Sequence, residues 1–175
     1  VPLKRPPWHS DTTQQGEGLG DITTHLVDLV QWECFTGEAL DYRIDVQIAS
    51  ARHWPTEITP EQFAHVTQLD AYPAYLRKDV QADGKLHTYA NGEINYTLKG
   101  VHAKVSVLWD FEAPAGGGDT HYSVMRGTRA NLVIRQGAAE AYQPVLSIEP
   151  VAQGDEAAIV RVREQSLPPV QDEGR

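Results

Sequence analysis

The sequence predicts an α+β fold: a large, mostly antiparallel open sheet with one main helix and short helices packed on it. Three observations carry this. Asp21 to about Phe35 places Ile22, Leu26, Leu29 and Val30 at three-to-four residue spacing, the period of a helix with one apolar face. From residue 42 onward an alternation of period two dominates, the mark of half-buried strands. Strands and helices do not interleave as βαβα, which excludes a doubly wound parallel sheet.

The elements follow in order. Residues 1–20 hold Pro2, Pro6 and Pro7, then Gly16, Gly18 and Gly20 with polar residues between, and read as an irregular lead-in. The main helix then runs to about Phe35, where Gly37 stops it. Tyr42 to Ala51 alternates, with Tyr42, Ile44, Val46 and Ile48 on one face, and reads as the first strand. Thr59-Pro60-Glu61-Gln62 supplies a capping residue, proline at the first helical position and glutamine at the third, so a short helix follows through about Val66. Tyr72-Pro73 bars continuation much beyond Asp70.

The rest carries strand signals. Leu86 to Tyr89 and Ile94 to Leu98 flank Asn91-Gly92, which reads as a hairpin turn. Val101 to Phe111 places Val101, Ala103, Val105, Val107 and Trp109 inward, and Leu108 on the other face suggests that this face is partly covered too. After the loop Gly116-Gly117-Gly118-Asp119, strands are expected at Tyr122 to Met125 and Ala130 to Arg135. Val145 to Ile148 and Ala158 to Val162 are expected as edge strands. A single α+β domain therefore spans 1–165 and a loose tail 166–175, with no internal repeat.

Composition narrows the function classes. The 175 residues are 41% hydrophobic and 22% charged, enough for a core, and no run approaches the length of a membrane helix. Fifteen basic against twenty-four acidic side chains give a net charge of −9 with no basic cluster, which disfavours nucleic acid. The lone Cys34 excludes an internal disulfide and a Cys-pair zinc site, and its apolar helical setting marks it as a small core residue. A start without Met in a Pro-rich segment, lacking a signal-peptide apolar region, is expected of a fragment whose upstream part is missing. Its compartment is not readable; cytoplasm is the default, and an export signal would have gone with that upstream part.

Chemistry concentrates on the main helix. Asp21, His25, Asp28 and Trp32 lie at offsets of four, seven and eleven and so form one stripe beside the apolar face. An Asp one turn before a His can orient the imidazole and raise its proton affinity, which suits a group that exchanges protons near neutral pH. The same spacing also fits an ordinary helix start, with Asp21 as N-cap, His25 at the surface and Asp28 on a solvated face. The run Gly16-Glu17-Gly18-Leu19-Gly20 lacks the Gly-x-Gly-x-x-Gly spacing and a preceding strand, so it is no dinucleotide loop. It lets a backbone or substrate approach the helix N-terminus closely. His121 sits where a loop meets a strand, and His9 with Trp8 precedes the glycines. Both are candidate substrate contacts, and both also fit structural roles, His121 in a turn and His9 in packing. The seven histidines give no strong metal signature, although Asp21, His25 and Asp28 would suit a divalent cation as a minor alternative.

The run Gly16-x-Gly18-x-Gly20-Asp21-Ile22-Thr23-Thr24-His25-Leu26-Val27-Asp28-Leu29-x-x-Trp32 resembles the Gly-rich Asp-x-x-x-His-x-x-Asp signature of the Gfo/Idh/MocA oxidoreductases. Gly100 to Val105, Gly118 to Ser123 and Arg126-Gly127-Thr128 are similar to the sheet domain of a putative-oxidoreductase branch. The resemblance implies the C-terminal, substrate-side domain of a dehydrogenase that acts on a sugar, polyol or related hydroxyl compound. It implies catalytic roles for Asp21 and His25 and places Asp28 at a common acidic position. It also implies that NAD or NADP is bound mainly by an N-terminal Rossmann domain absent from this chain, which would be inactive alone. Thr23 stands where the family often has Gly, and Glu17 interrupts the glycine pair. Lys4-Arg5-Pro6 follows no strand and does not replace the family's Glu-Lys-Pro lysine. The expected partners are that Rossmann domain, a small hydroxylated substrate and a second copy through the open sheet face; nucleic acid and membrane are not expected. The rival reading is a noncatalytic oligomerisation or ligand-binding module, marked by exposed apolar residues such as Leu108 and Val133.

Overall fold

A computed structural model of the chain describes residues 4–113 and 115–152. The chain divides into two compact units, Val1–Glu112 and Ala113–Arg175. Its class is α+β, as expected. The described strands pair antiparallel, in two sheets of three, where the sequence reading expects one large sheet.

In the first unit the irregular lead-in is tied down by hydrogen bonds. A 3-10 turn (Pro7–Ser10) and a helical turn, α1 (Thr12–Gln15), are joined by Asp11. Asp11 is buried, and its carboxylate accepts bonds from the Thr13 N–H and hydroxyl, Gln14 Nε2 and Lys78 Nζ. Those donors, Gln14 and Thr13 foremost, hold the carboxyl well below the usual range. The main helix is α2 (Ile22–Cys34), close to the expected bounds. Its Leu26, Val27 and Val30 pack on Tyr96, Leu98, Ala103 and Val105 of the sheet. Among the described residues no helix is long and apolar enough to cross a membrane.

The first strand starts later than the alternation suggests. Asp41 accepts from the Arg43 N–H and guanidinium and nucleates a helical turn, α3 (Tyr42–Asp45), which leaves Tyr42 and Ile44 exposed. β1 then runs Val46–Ile58, past Ala51 and through Pro55, because it is an edge strand and its register shifts between Trp54 and Thr56. The next helix, α4 (Pro60–Thr67), has the full capping box on Thr59 and Gln62 and ends at Gln68 in the left-handed region. A 3-10 turn (Ala74–Asp79) follows; its Leu76 completes a core with Ile58, Phe63 and Leu86.

Asn91-Gly92 is not a turn. β2 (Leu86–Leu98) passes straight through it and pairs with β1 on one side and β3 (Val101–Val107) on the other. Asn91 spends its side chain on the sheet: Nδ2 donates to Trp54 O and Thr56 Oγ1, and Oδ1 accepts from the Trp109 N–H. Gly92 leaves a socket for Leu19, whose Cγ would lie 2.3 Å from a Cβ there. The hairpin is made instead at Lys99-Gly100, both at positive φ (47° and 83°), as a tight two-residue turn demands.

Pairing explains why this sheet has one apolar face. Ile48, Tyr96 and Ala103 align, as do Ala51, Ile94 and Val105, all on the side that α2 packs against. The opposite side aligns Arg52, Glu93 and Ser106, and there Glu93 pairs with Lys104 at 2.8 Å and with Arg52 at 3.4 Å. Ala103, Val105 and Val107 are buried as expected, whereas Val101 at the hairpin end is exposed. Leu108 is 77% exposed, so the suggested cover over it is not present in this unit.

The second unit holds β4 (His121–Arg126), β5 (Ala130–Gln136) and β6 (Val145–Pro150) in the order β4-β5-β6. The expected strands at 122–125, 130–135 and 145–148 all lie inside these. The expected strand Ala158 to Val162 and the tail from 166 fall outside the described residues.

Candidate functional site

The site is built where the glycine run meets α2. Gly18 lies directly on β2: its N–H donates to Tyr89 O at 3.2 Å, and a Cβ on it would sit 1.8 Å from Ala90 O. Only glycine permits that approach. The Glu17 carbonyl accepts the Gly20 and Asp21 amides at 2.7 and 3.1 Å, and the Gly18 carbonyl accepts the Thr23 N–H and hydroxyl. The expected close backbone approach is therefore made by the protein's own strand. Glu17, which breaks the glycine pattern, reaches His53 Nδ1 at 2.6 Å, and the His53 ring lies 4.9 Å from that of Tyr89. The start of α2 is thus fixed to β1 and β2.

Asp21 occupies the N-cap position but does not cap with its side chain. Its carboxylate accepts from Gln15 Nε2 at 2.8 Å and makes no bond to His25. Asp21, His25, Asp28 and Trp32 are all exposed, on the side of α2 away from Thr23, Leu26, Val27 and Val30, so the predicted stripe exists. The described residues supply His25 and Asp28 with no hydrogen-bond partner. His25 opens onto a depression of about 370 Å³ floored by Leu19 and Ile94.

His9 joins Asp21 rather than His25. Its ring lies 6.1 Å from Trp8 and 6.0 Å from Trp109, with Arg5 over Trp109 at 5.6 Å. Burial foremost, then the Arg5 charge, lowers its proton affinity, and Asp21 opposes both. His121 stands at the start of β4 in the second unit, paired across to Gln136. Cys34 is partly buried, and that burial and Glu33 push its thiol up, away from reactivity. Among the described residues no three His, Cys, Asp or Glu side chains are placed to share a metal ion, which removes the cation alternative there. Sequence reasoning missed Gln15, the holder of Asp21, and the Glu17–His53 tie. Glu17 was visible only as a departure from a glycine pattern, and nothing local to His53 marks its distant partner.

Comparisons with known proteins give the family of the chain. The family model described as "Putative oxidoreductase C terminal domain" matches residues 1–172. The crystal structure of a putative oxidoreductase from Parabacteroides merdae ATCC 43184 is similar at 54% identity and a TM-score of 0.87. The match covers 94% of this chain and 37% of that one, so the chain spans little more than a third of its solved relative. No curated protein matches. The chain belongs to the family of putative oxidoreductase C-terminal domains.

Proposed function

We propose that this chain is the substrate-side domain of an NAD(P)-dependent dehydrogenase of Gfo/Idh/MocA type, acting on a sugar, polyol or related hydroxyl compound. One observation carries the reading: an unpartnered, exposed His25 one turn after Asp21, on a helix start anchored to the sheet by glycine contacts. All described strand pairs are antiparallel, so these residues offer a dinucleotide no strand–loop–helix cradle. NAD or NADP, held mainly by the rest of the protein, supplies the hydride acceptor when bound.

The chain's own residues would do the following. Substrate sits over the depression beside His25, with Asp28 accepting from a hydroxyl. His25 takes the proton of the reacting hydroxyl while the carbon that bears it is oxidised to a carbonyl. Asp21, steadied by Gln15, contributes negative charge toward His9 and a further acceptor for substrate. His121, at the start of β4, is proposed separately as a contact for a hydroxylated ligand. The test is a coenzyme-linked screen of the full-length protein against aldoses, disaccharides, polyols and inositols with NAD and NADP. Reduction of either coenzyme by a member of this set supports the reading, and reduction by none removes it.

A second reading concerns assembly. Val133, expected outward, is buried, but the other face of its sheet aligns Met125, Leu132 and Ile148 beside Ile134 and Leu146, with Leu146 63% exposed. An apolar sheet face of this kind suits a second copy of the full-length protein. Light scattering of Leu146→Lys tests this: a shift toward monomer supports it, and a monomeric parent contradicts it.

A further inference from the structure

The depression beside His25 does not end there. A second, of about 410 Å³, adjoins it on the same flank of α2, and Asp28 and Gln31 line both. The two make one trough, with His25 at one end and Trp32, Phe35 and Glu38 at the other. The helical rise separates His25 from Trp32 by roughly 10 Å along the axis. Each half has the scale of a small-molecule site.

The lining is specific in its chemistry. Trp32 is 73% exposed, and its indole N–H has no hydrogen-bond partner among the described residues. The Asp28 and Gln31 side chains likewise have none among the described residues. Glu38 is held by Lys99 Nζ at 2.7 Å. Among the described residues no Lys or Arg lines either half and Asp28 has no ion-pair partner, so its carboxylate disfavours a phosphate or carboxylate ligand beside it. A neutral, hydroxyl-rich ligand with an apolar C–H face is complementary: hydroxyls to Asp28 and Gln31, and a ring face to the Trp32 indole.

Building on the sugar-oxidation reading above, we propose that Trp32, with Asp28 and Gln31, forms a second subsite that binds the non-reacting ring of a disaccharide or glycoside while the reacting ring lies at His25. The substrate class is then a two-ring glycoside rather than a free monosaccharide. Substitution of Trp32 acts on the choice between one ring and two.

Calorimetric titration of the full-length protein with glucose, maltose and cellobiose tests this, together with coenzyme-linked turnover on the same three sugars. The parent is expected to bind at least one disaccharide about tenfold more tightly than glucose, the worth of one good aromatic contact. Trp32→Ala removes that preference, and Trp32→Phe retains most of it. Equal binding of one and two rings by the parent overturns the proposal, as does a preference that survives in Trp32→Ala. A fall in unfolding midpoint on Trp32→Ala with no change in sugar preference also overturns it, since Trp32 then packs against the rest of the polypeptide. A Trp32-dependent preference without coenzyme reduction keeps the subsite and removes the redox reading. Coenzyme reduction by glucose with no preference for two rings does the reverse.

Discussion

Gly18→Ala isolates the contact that seats α2. A methyl at this position would lie 1.8 Å from Ala90 O and 2.5 Å from its carbonyl carbon, backbone atoms that cannot rotate away. The chain must back off from β2, which as overpacking costs about 1–3 kcal/mol. That movement stretches the Gly18 bond to Tyr89 and the two Thr23 bonds to Gly18, at about 0.5–1.5 kcal/mol for each one lost. With one of the three bonds lost, a total near 3 kcal/mol corresponds to a midpoint fall of roughly 6–12 °C for a chain of this length. Gly20→Ala is the internal control, because its Cβ would meet nothing closer than 3.4 Å. It should shift stability by no more than about 1 kcal/mol, in the stabilising direction if anything. Thermal unfolding by circular dichroism, with amide hydrogen exchange at Thr23, measures both. Equal shifts for the two variants would refute the claim that the approach to Ala90 holds the start of α2.

Three further outcomes follow from the structure. Asp11 has its folded pKa depressed, so its stabilisation is present above the unfolded value near 4 and is lost as pH falls through the lower folded value. Asp11→Ala should cost about 1–2 kcal/mol near neutrality, through the lost cap and buried bonds, and should flatten the acid limb of a stability-against-pH curve. An unchanged acid limb would contradict this. Asn91→Ala removes three bonds inside the sheet and should cost about 2–4 kcal/mol in chemical denaturation, whereas a residue in an exposed turn would cost far less. Tyr96 has a buried hydroxyl with no partner among the described residues, so Tyr96→Phe should leave the unfolding midpoint unchanged or raise it. A clear fall would mean the hydroxyl is satisfied after all.

What the sequence discloses divides along local and distant causes. The α2 stripe, the capping box at Thr59 and the alternation of Ala103, Val105 and Val107 are set by neighbours within a few residues, and the structure keeps them. Asn91-Gly92 misleads because its residues serve partners far along the chain: Trp54, Thr56 and Trp109 for the asparagine, Leu19 for the glycine. Tyr42 and Ile44 mislead because Asp41 offers their backbone a local alternative to the strand. At the site, periodicity places Asp21, His25, Asp28 and Trp32 on one exposed face. The Gln15–Asp21 bond and the His9–Trp109 contact are tertiary and leave no pattern to read.

The central claim is that His25 exchanges the proton of the oxidised hydroxyl. The most direct measurement is kcat for His25→Ala in the full-length protein, on a substrate identified by the coenzyme screen, beside its unfolding midpoint. His25 is exposed and makes no hydrogen bond with the described residues, so the fold should be indifferent to its loss, whereas removal of a positioned general base lowers turnover by about 10²–10⁴-fold. An unchanged midpoint with that loss is the expected result; full turnover in the variant would contradict the account.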